Sequence, residues 1–300
     1  MSIFKSNLLL LLAAAIWGFA FVAQRVGMEH IGPFAFNGVR FALGSLSLVP
    51  LILYCDNKSQ DVSRHWRNSL PAGLLAGLVL FLGASLQQIG LVYTTAGKAA
   101  FITCLYIVLV PIFGIFLKHQ AGMSTWLGSL LAVAGLYFLS IKESFSIAYG
   151  DLLELTGALF WSFHILIIDH FSRKVDVLKL ACLQCITCSL LSLGTAMLFE
   201  TITAASLSQA LIPILYGGIC SVGIAYTLQI VGQKHAPPSH AAIILSMETV
   251  FAVLGGFLLL DERLGLQEIA GCGLMLTGML LSQLQSLKPA ASGKLIERES

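Results

Sequence analysis

Long apolar runs broken by short polar stretches recur along the whole chain. A hydrocarbon core about 30 Å thick takes roughly 20 helical residues to cross. Runs of that kind predict spans at 8–27, 33–54, 70–92, 97–117, 123–141, 151–169, 178–199, 208–231, 240–260 and 266–285. The breaks at 27–33, 94–98 and 236–240 are very short, and ten is the count that uses every break once. The pattern therefore predicts an all-α integral membrane protein of ten transmembrane helices. The polar stretch 286–300 is expected to be a disordered cytoplasmic tail. The first run follows Lys5 as a leader would, but it is longer than a signal core and is expected to stay as a helix.

The second half echoes the first. An offset of 144 lays Asp151, Leu152 and Leu153 on Asn7, Leu8 and Leu9, Trp161 on Trp17, and Phe163 on Phe19. An offset of 142 lays Gln229 on Gln87, Gly232 on Gly90, Ala241-Ala242 on Ala99-Ala100, and Gly256 on Gly114. At 143, Gly271 and Gly278 fall on Gly128 and Gly135. Leucine matches are cheap in so apolar a chain, whereas matched tryptophans and glutamines are not. Two units are expected, 1–145 and 146–285. Each holds five spans, an odd number, so the second enters the membrane from the opposite side. Inverted repeats of this sort are common in secondary transporters, with sites near the midplane between the halves.

Composition agrees with lipid as the main solvent. Of 300 residues, 57% are hydrophobic and 11% charged, against about 25% charged in soluble domains. A net charge of +2 with scattered Lys and Arg excludes a nucleic-acid surface. If the N-terminus is cytoplasmic, twelve of the seventeen Lys and Arg residues fall inside. Four (Arg25, Lys98, Lys142 and Arg263) fall outside, and Arg40 lies within a span. That bias predicts cytoplasmic termini in a plasma (inner) membrane protein. Six of seven cysteines lie in apolar runs, which argues against a disulfide framework. Cys182, Cys185 and Cys188 form a row that reads as a helix contact rather than a metal site, with no fourth soft ligand near in sequence.

Several stretches resemble the drug/metabolite transporter superfamily in its EamA-domain branch. They are Tyr93 to Phe101 (YTTAGKAAF), Tyr106 to Pro111 (YIVLVP), Met247 to Ala252 (METVFA) and Asp261 to Leu264 (DERL). The resemblance covers roughly 8–285 and implies export of small molecules without naming one. Two departures stand out. Lys118-His119-Gln120 replaces the acidic-basic pair that the family commonly has there, and Thr249 occupies a place where proline often follows the glutamate.

Ionisable groups at mid-bilayer are unfavourable by about 2.5–3.5 kcal/mol on insertion scales, so each needs a reason. Glu248 is placed eight residues into its span, about 12 Å deep at about 1.5 Å per residue, too far for a short side chain to reach the headgroups. It reads as a proton- or substrate-binding carboxylate, or as a structural acceptor held by a neighbour such as Arg40. Arg40, about 10 Å deep, fits either a tether reaching for headgroups or a clamp for a substrate anion. The repeat mates Gln87 and Gln229 suit cavity donors or interhelical hydrogen bonds, as does Gln88. Trp17 and Trp161 lie too deep for an interfacial belt, so they stack on a substrate or pack inner helices. Tyr106 is the repeat mate of Glu248. His164 is a candidate lining residue, while its spacing to Asp169 and His170 suits no metal site. Lys98 and His240 read as markers of membrane edges. Glycine stripes such as Gly128/Gly135 and Gly271/Gly278 point to close packing between the halves or within a homodimer.

These features predict a secondary transporter of small, amino-acid-like or amphipathic metabolites working by alternating access. The expected partners are the substrate, the bilayer and protons as a candidate coupling ion, with no cofactor and no metal. An integral membrane enzyme on lipid or prenyl substrates lacks a clustered catalytic constellation here, with only Asp56, Asp61 and Asp176 scattered in the loops. No GxxxxGK[ST] element is present for an ATP-driven pump. A passive channel stays open on sequence alone.

Overall fold

A computed structural model describes residues 1–56, 62–94, 96–118, 122–140, 149–259 and 265–283. Its elements are helical, with no strand among the described residues. In the first half they are α1 (Ile3–Gly27), α2 (Pro33–Asp56), α3 (Val62–Tyr93), α4 (Ala96–Thr103), α5 (Tyr106–Phe116) and α6 (Met123–Ser140). The second half begins with α7 (Tyr149–Ser172), α8 (Val177–Phe199) and the short α9 (Ala204–Gln209). α10 (Leu211–Leu215) runs through a π-helical segment, Tyr216–Ala225, into α11 (Tyr226–Gln233). α12 (Pro238–Leu245), α13 (Glu248–Leu259) and α14 (Leu266–Gln283) complete it. The expected tail 286–300, the stretch Asp261 to Leu264, His119-Gln120 and the side chain of Lys98 lie outside the described residues.

Eight stretches are long and apolar enough to cross a membrane, where the hydrophobic pattern predicts ten. The other two expected spans are the shorter apolar helices Met123–Gly135 and Ile269–Ser282, within α6 and α14. Two expected single helices are each divided. The fourth breaks at Cys104-Leu105 between α4 and α5, and the ninth at Ser246-Met247 between α12 and α13.

Polarity is distributed as lipid demands. Large apolar side chains such as Phe116 (82% exposed) and Leu266 (87%) face outward. Gln24, Arg40, Gln87, Glu154, Gln229 and Glu248 are buried. A bilayer offers no hydrogen bonds to polar groups, so these must find partners or a cavity inside the bundle. Helix ends obey the same rule. The Glu200 carboxylate, at the end of α8, accepts from the first-turn amides of Phe34 (2.9 Å) and Ala35 (2.7 Å) in α2. Those amides have no partner in their own helix. The Asp176 side chain likewise accepts from the Lys179 amide to cap α8.

Two helix pairs run antiparallel across the halves. On α2 and α8, the Ser189 hydroxyl donates to the Gly38 carbonyl (2.8 Å) and the Cys182 thiol meets that of Ser45 (3.8 Å). Cys185 and Cys188 pack with Phe41 and Leu80, so the cysteine row is a helix contact. On α6 and α14, Gly128 faces Gly278 while Gly135 faces Gly271. A Cβ on Gly128 would stand 2.7 Å from the Gly278 carbonyl oxygen, and one on Gly278 would stand 2.6 Å from that of Gly128. His240, expected at a membrane edge, is buried, with its Nδ1 3.5 Å from the Ser282 hydroxyl of α14.

Gly128→Ala therefore has to push the α6 and α14 backbones apart. It is expected to destabilise the protein by about 1–3 kcal/mol, the usual cost of overpacking. Gly194→Ala, where nothing lies within 4 Å of the added Cβ, should not lower the melting temperature. Thermal unfolding of the two variants in detergent checks the contrast.

Candidate functional site

The helix breaks meet at the centre of the molecule. The Tyr106 hydroxyl, at the first residue of α5, donates to Oε1 of Glu248, the first residue of α13 (3.0 Å). The Cys104 thiol lies 3.4 Å from the same oxygen, 3.6 Å from the Ser246 carbonyl and 2.9 Å from the Thr249 hydroxyl. A broken helix leaves amides and carbonyls without their usual partners, tolerable at depth only where protein or a cavity receives them. Both breaks border such a cavity.

Its wall gathers residues by helical periodicity. Trp17, Phe21 and Gln24 lie on one face of α1, at spacings of four and three. Trp161 and Ile165 do the same on α7, and Tyr226 and Gln229 on α11. Arg40, Gln87, Thr103, Tyr106, Ser221, Leu245 and Glu248 complete the lining. The space between these walls, counted out to the open mouth, is about 500 Å³.

Aromatic rings pack the floor. The Tyr226 ring lies 4.9 Å from that of Trp17, edge-on, and 6.5 Å from that of Trp161, stacked. The Trp17 indole donates to the Ser221 carbonyl (3.1 Å), inside the π-helical segment. A π-helix shifts carbonyls out of the α-helical ladder, and such segments often occur at functional sites. The Trp161 indole nitrogen is buried without a protein partner, as is the Gln229 side-chain oxygen.

Arg40 turns inward. Its Nε donates to the Asn37 side chain (3.0 Å), and its guanidinium carbon lies 5.4 and 5.1 Å from the ring centres of Phe36 and Phe41. Both rings attract a cation through their faces. Arg40 and Glu248 are both buried, and among the described residues neither forms an ion pair. The expectation that Arg40 holds Glu248 is therefore not met; Tyr106 and Cys104 meet its Oε1 instead. With five N–H donors on a guanidinium and one used on Asn37, Arg40 presents charge to the cavity.

Seven of the nine residues singled out from sequence as cavity candidates (Glu248, Gln87, Gln229, Trp17, Trp161, Tyr106 and Arg40) are thus brought to one cavity. His164 is not. It is fully buried behind the wall, its Nε2 2.9 Å from Gln184 Oε1 and its ring edge-on to Trp161 and Tyr226. Gln88 is buried outside the lining. Gln24 and Tyr226 were missed, although each shares a helical face with a residue already singled out. Glu154 was missed as well. It sits near the start of the expected span 151–169, where an acidic residue reads as an edge.

Comparison with known proteins places the chain among transporters. Residues 4–141 and 148–284 each match the profile of the EamA-like transporter family. An uncharacterized transporter of Archaeoglobus fulgidus is 34% identical over 93% of this chain and 86% of its own length. The uncharacterized transporter YoaV of Bacillus subtilis is 25% identical, over 89% of this chain and 92% of its own length. The uncharacterized inner membrane transporter YedA of Escherichia coli K12 is 23% identical, over 90% and 87%. A crystal structure at 20% identity shares the fold, with a TM-score of 0.79 over 93% of this chain and 96% of that one.

The geometry separates lining residues from those behind them. In a chain whose seven cysteines are replaced by alanine, a cysteine at Ser221 should react with a small hydrophilic thiol reagent in membranes. One at His164 should stay unlabelled. Equal labelling would mean that the cavity wall is drawn in the wrong place.

Proposed function

The chain belongs to the EamA-like transporter family, and on that footing we propose that it carries a small zwitterionic, amino-acid-like metabolite by alternating access. The observation that carries the substrate class is the charge pattern of the cavity. Arg40 offers a cation to a substrate carboxylate, and Glu248 offers a carboxylate to a substrate ammonium. The indoles of Trp17 and Trp161 supply apolar walls, and the amides of Gln24, Gln87 and Gln229 supply further donors and acceptors. Polar and charged side chains make up half of the lining and converge among aromatic and aliphatic ones, so the cavity is more polar than a typical small-molecule site and suits a charged ligand. We take export as the direction, as the family resemblance implies.

The carrier mechanism rests on reading the ten helical passages as two inverted five-helix units. Several contacts support it by mapping onto themselves when the halves are exchanged. Gly38–Ser189 becomes Cys182–Ser45 at an offset of 144. Gly128–Gly278 becomes Gly271–Gly135 at 143. Tyr106–Glu248 and Cys104–Ser246 join repeat mates directly at 142. The packing of α3 on α7 and α8 corresponds to that of the π-helical segment and α11 on α1, and of the π-helical segment on α2. Much of the cavity wall is mated too: Trp17 with Trp161, Phe21 with Ile165, Gln87 with Gln229, Thr103 with Leu245 and Tyr106 with Glu248. A site astride such an axis opens to either side when the halves exchange conformations.

A strain overproducing the protein, challenged with toxic amino-acid analogues and drugs, should gain resistance to the transported class. The protecting compound should then show counterflow in proteoliposomes, with trans-stimulation that a passive pore lacks. Glu248→Gln should lower that exchange by roughly ten- to hundredfold, the loss of a hydrogen bond to a charged group worth about 1.5–3 kcal/mol. Full exchange with an unchanged pH profile would remove Glu248 from the site.

A further inference from the structure

Glu154 is a further carboxylate buried in the bundle, and the cavity does not contain it. It is fully buried on α7, with Oε2 accepting from the Thr103 hydroxyl (3.0 Å). The same hydroxyl accepts from the Gln87 amide (3.2 Å), and both Thr103 and Gln87 line the cavity. Its other oxygen, Oε1, is buried without a protein partner and lies over Gly90, whose missing side chain makes room for it.

The other half of the molecule shows what this place needs structurally. At the repeat positions, Leu10 packs on Gly232 as Glu154 packs on Gly90. Leu245 stands where Thr103 stands, and Gln229 where Gln87 stands. Leucine fills the pocket over the glycine in one half, so packing alone does not call for a carboxyl group in the other. The polar version also has company towards the start of α7. Asp151, buried one turn before it, accepts from the Thr94 hydroxyl (3.2 Å) at the end of α3.

We propose that Glu154 is a proton-binding site distinct from the substrate site, reached from the membrane face at which α7 begins and joined to the cavity through Thr103 and Gln87. The break between α4 and α5 then links two buried carboxylates. Thr103, on its near side, holds Glu154, and Tyr106, just beyond it, holds Glu248. A change of protonation at Glu154 alters what the Thr103 hydroxyl donates to, and so bears on the junction that positions Tyr106. In the orientation favoured by the Lys and Arg bias, the loading face is the outer one. This assignment rests on the carrier reading above.

Among the described residues, the charged and titratable surroundings of Glu154 are few. Asp151 faces it from its own helix. From α1, Arg25 is held on the carbonyls of Leu91 (2.9 Å) and Thr94 (3.4 Å). At the end of α3, the Tyr93 ring packs edge-on against Tyr149. Across the α4–α5 break, Cys104 and Tyr106 are both engaged with Glu248.

Infrared difference spectroscopy of the reconstituted full chain tests the site with protons as the only probe. On pH titration, the wild type should show a carboxylic-acid C=O band that Glu248→Gln retains and Glu154→Leu lacks. The leucine variant copies the arrangement of Leu10 on Gly232 and so should fold. Thr103→Val, which leaves the carboxyl in place, should shift the frequency of the same band. The proposal is overturned if wild type and Glu154→Leu give the same difference spectrum. It is equally overturned if the band responds to sodium at fixed pH rather than to pH. Because no substrate is present, these outcomes are independent of whether counterflow is found.

Discussion

The hydroxyl of Tyr106 on the carboxylate of Glu248 ties together the ends of two interrupted helices, and most of the interior is arranged around that contact. Lipid cannot supply hydrogen bonds, so an interrupted helix and a carboxyl group at depth are each unfavourable alone. Brought together they answer one another, with the thiol of Cys104 near the same oxygen and the Ser246 carbonyl. Three of the buried polar atoms that find no protein partner, the indole nitrogen of Trp161 and the side-chain oxygens of Gln24 and Gln229, belong to residues of the cavity wall. There the fold leaves polar groups available to a ligand.

Departures from symmetry are as informative as symmetry itself. The scaffold contacts of α2 with α8 and α6 with α14 pair small residues in both halves, because only small side chains let backbones approach so closely. At the cavity the mates diverge. Tyr106 faces Glu248, Thr103 answers to Leu245, and Arg40 has the uncharged mate Gln184, which is engaged with His164. Glu248 and Arg40 each occur once, so the charges at the cavity are asymmetric although much of its wall is mated. The proposed carrier mechanism would use both: like halves to exchange conformations, and unlike charges to orient a ligand.

Much of this was legible in the sequence. Glu248, Arg40 and the two glutamines announced themselves because polar groups are scarce in lipid-facing runs, and the matched tryptophans because they recur at a fixed offset. Helical periodicity from Trp17 would have reached Gln24, and from Gln229 would have reached Tyr226. Glu154 was harder to see. Hydropathy marks where a span begins only to within a few residues, and an acidic group near that boundary looks like an ordinary edge residue. His164 erred the other way, since a polar residue in a span faces either a cavity or a neighbouring side chain, and periodicity on one helix does not say which.

By itself the sequence determined the lipid environment, the succession of helices, the doubling of one unit and the residues whose polarity demanded an interior place. These are properties of composition, period and offset, which need no knowledge of neighbours. Only the tertiary structure decided that the fourth and ninth passages are broken, that Tyr106 and not Arg40 holds Glu248, and that His164 is spent on Gln184. It also decided that Glu154 is buried over Gly90. Those outcomes depend on which polar groups lie within hydrogen-bonding distance across helices far apart in the chain, a matter of packing that no local pattern encodes.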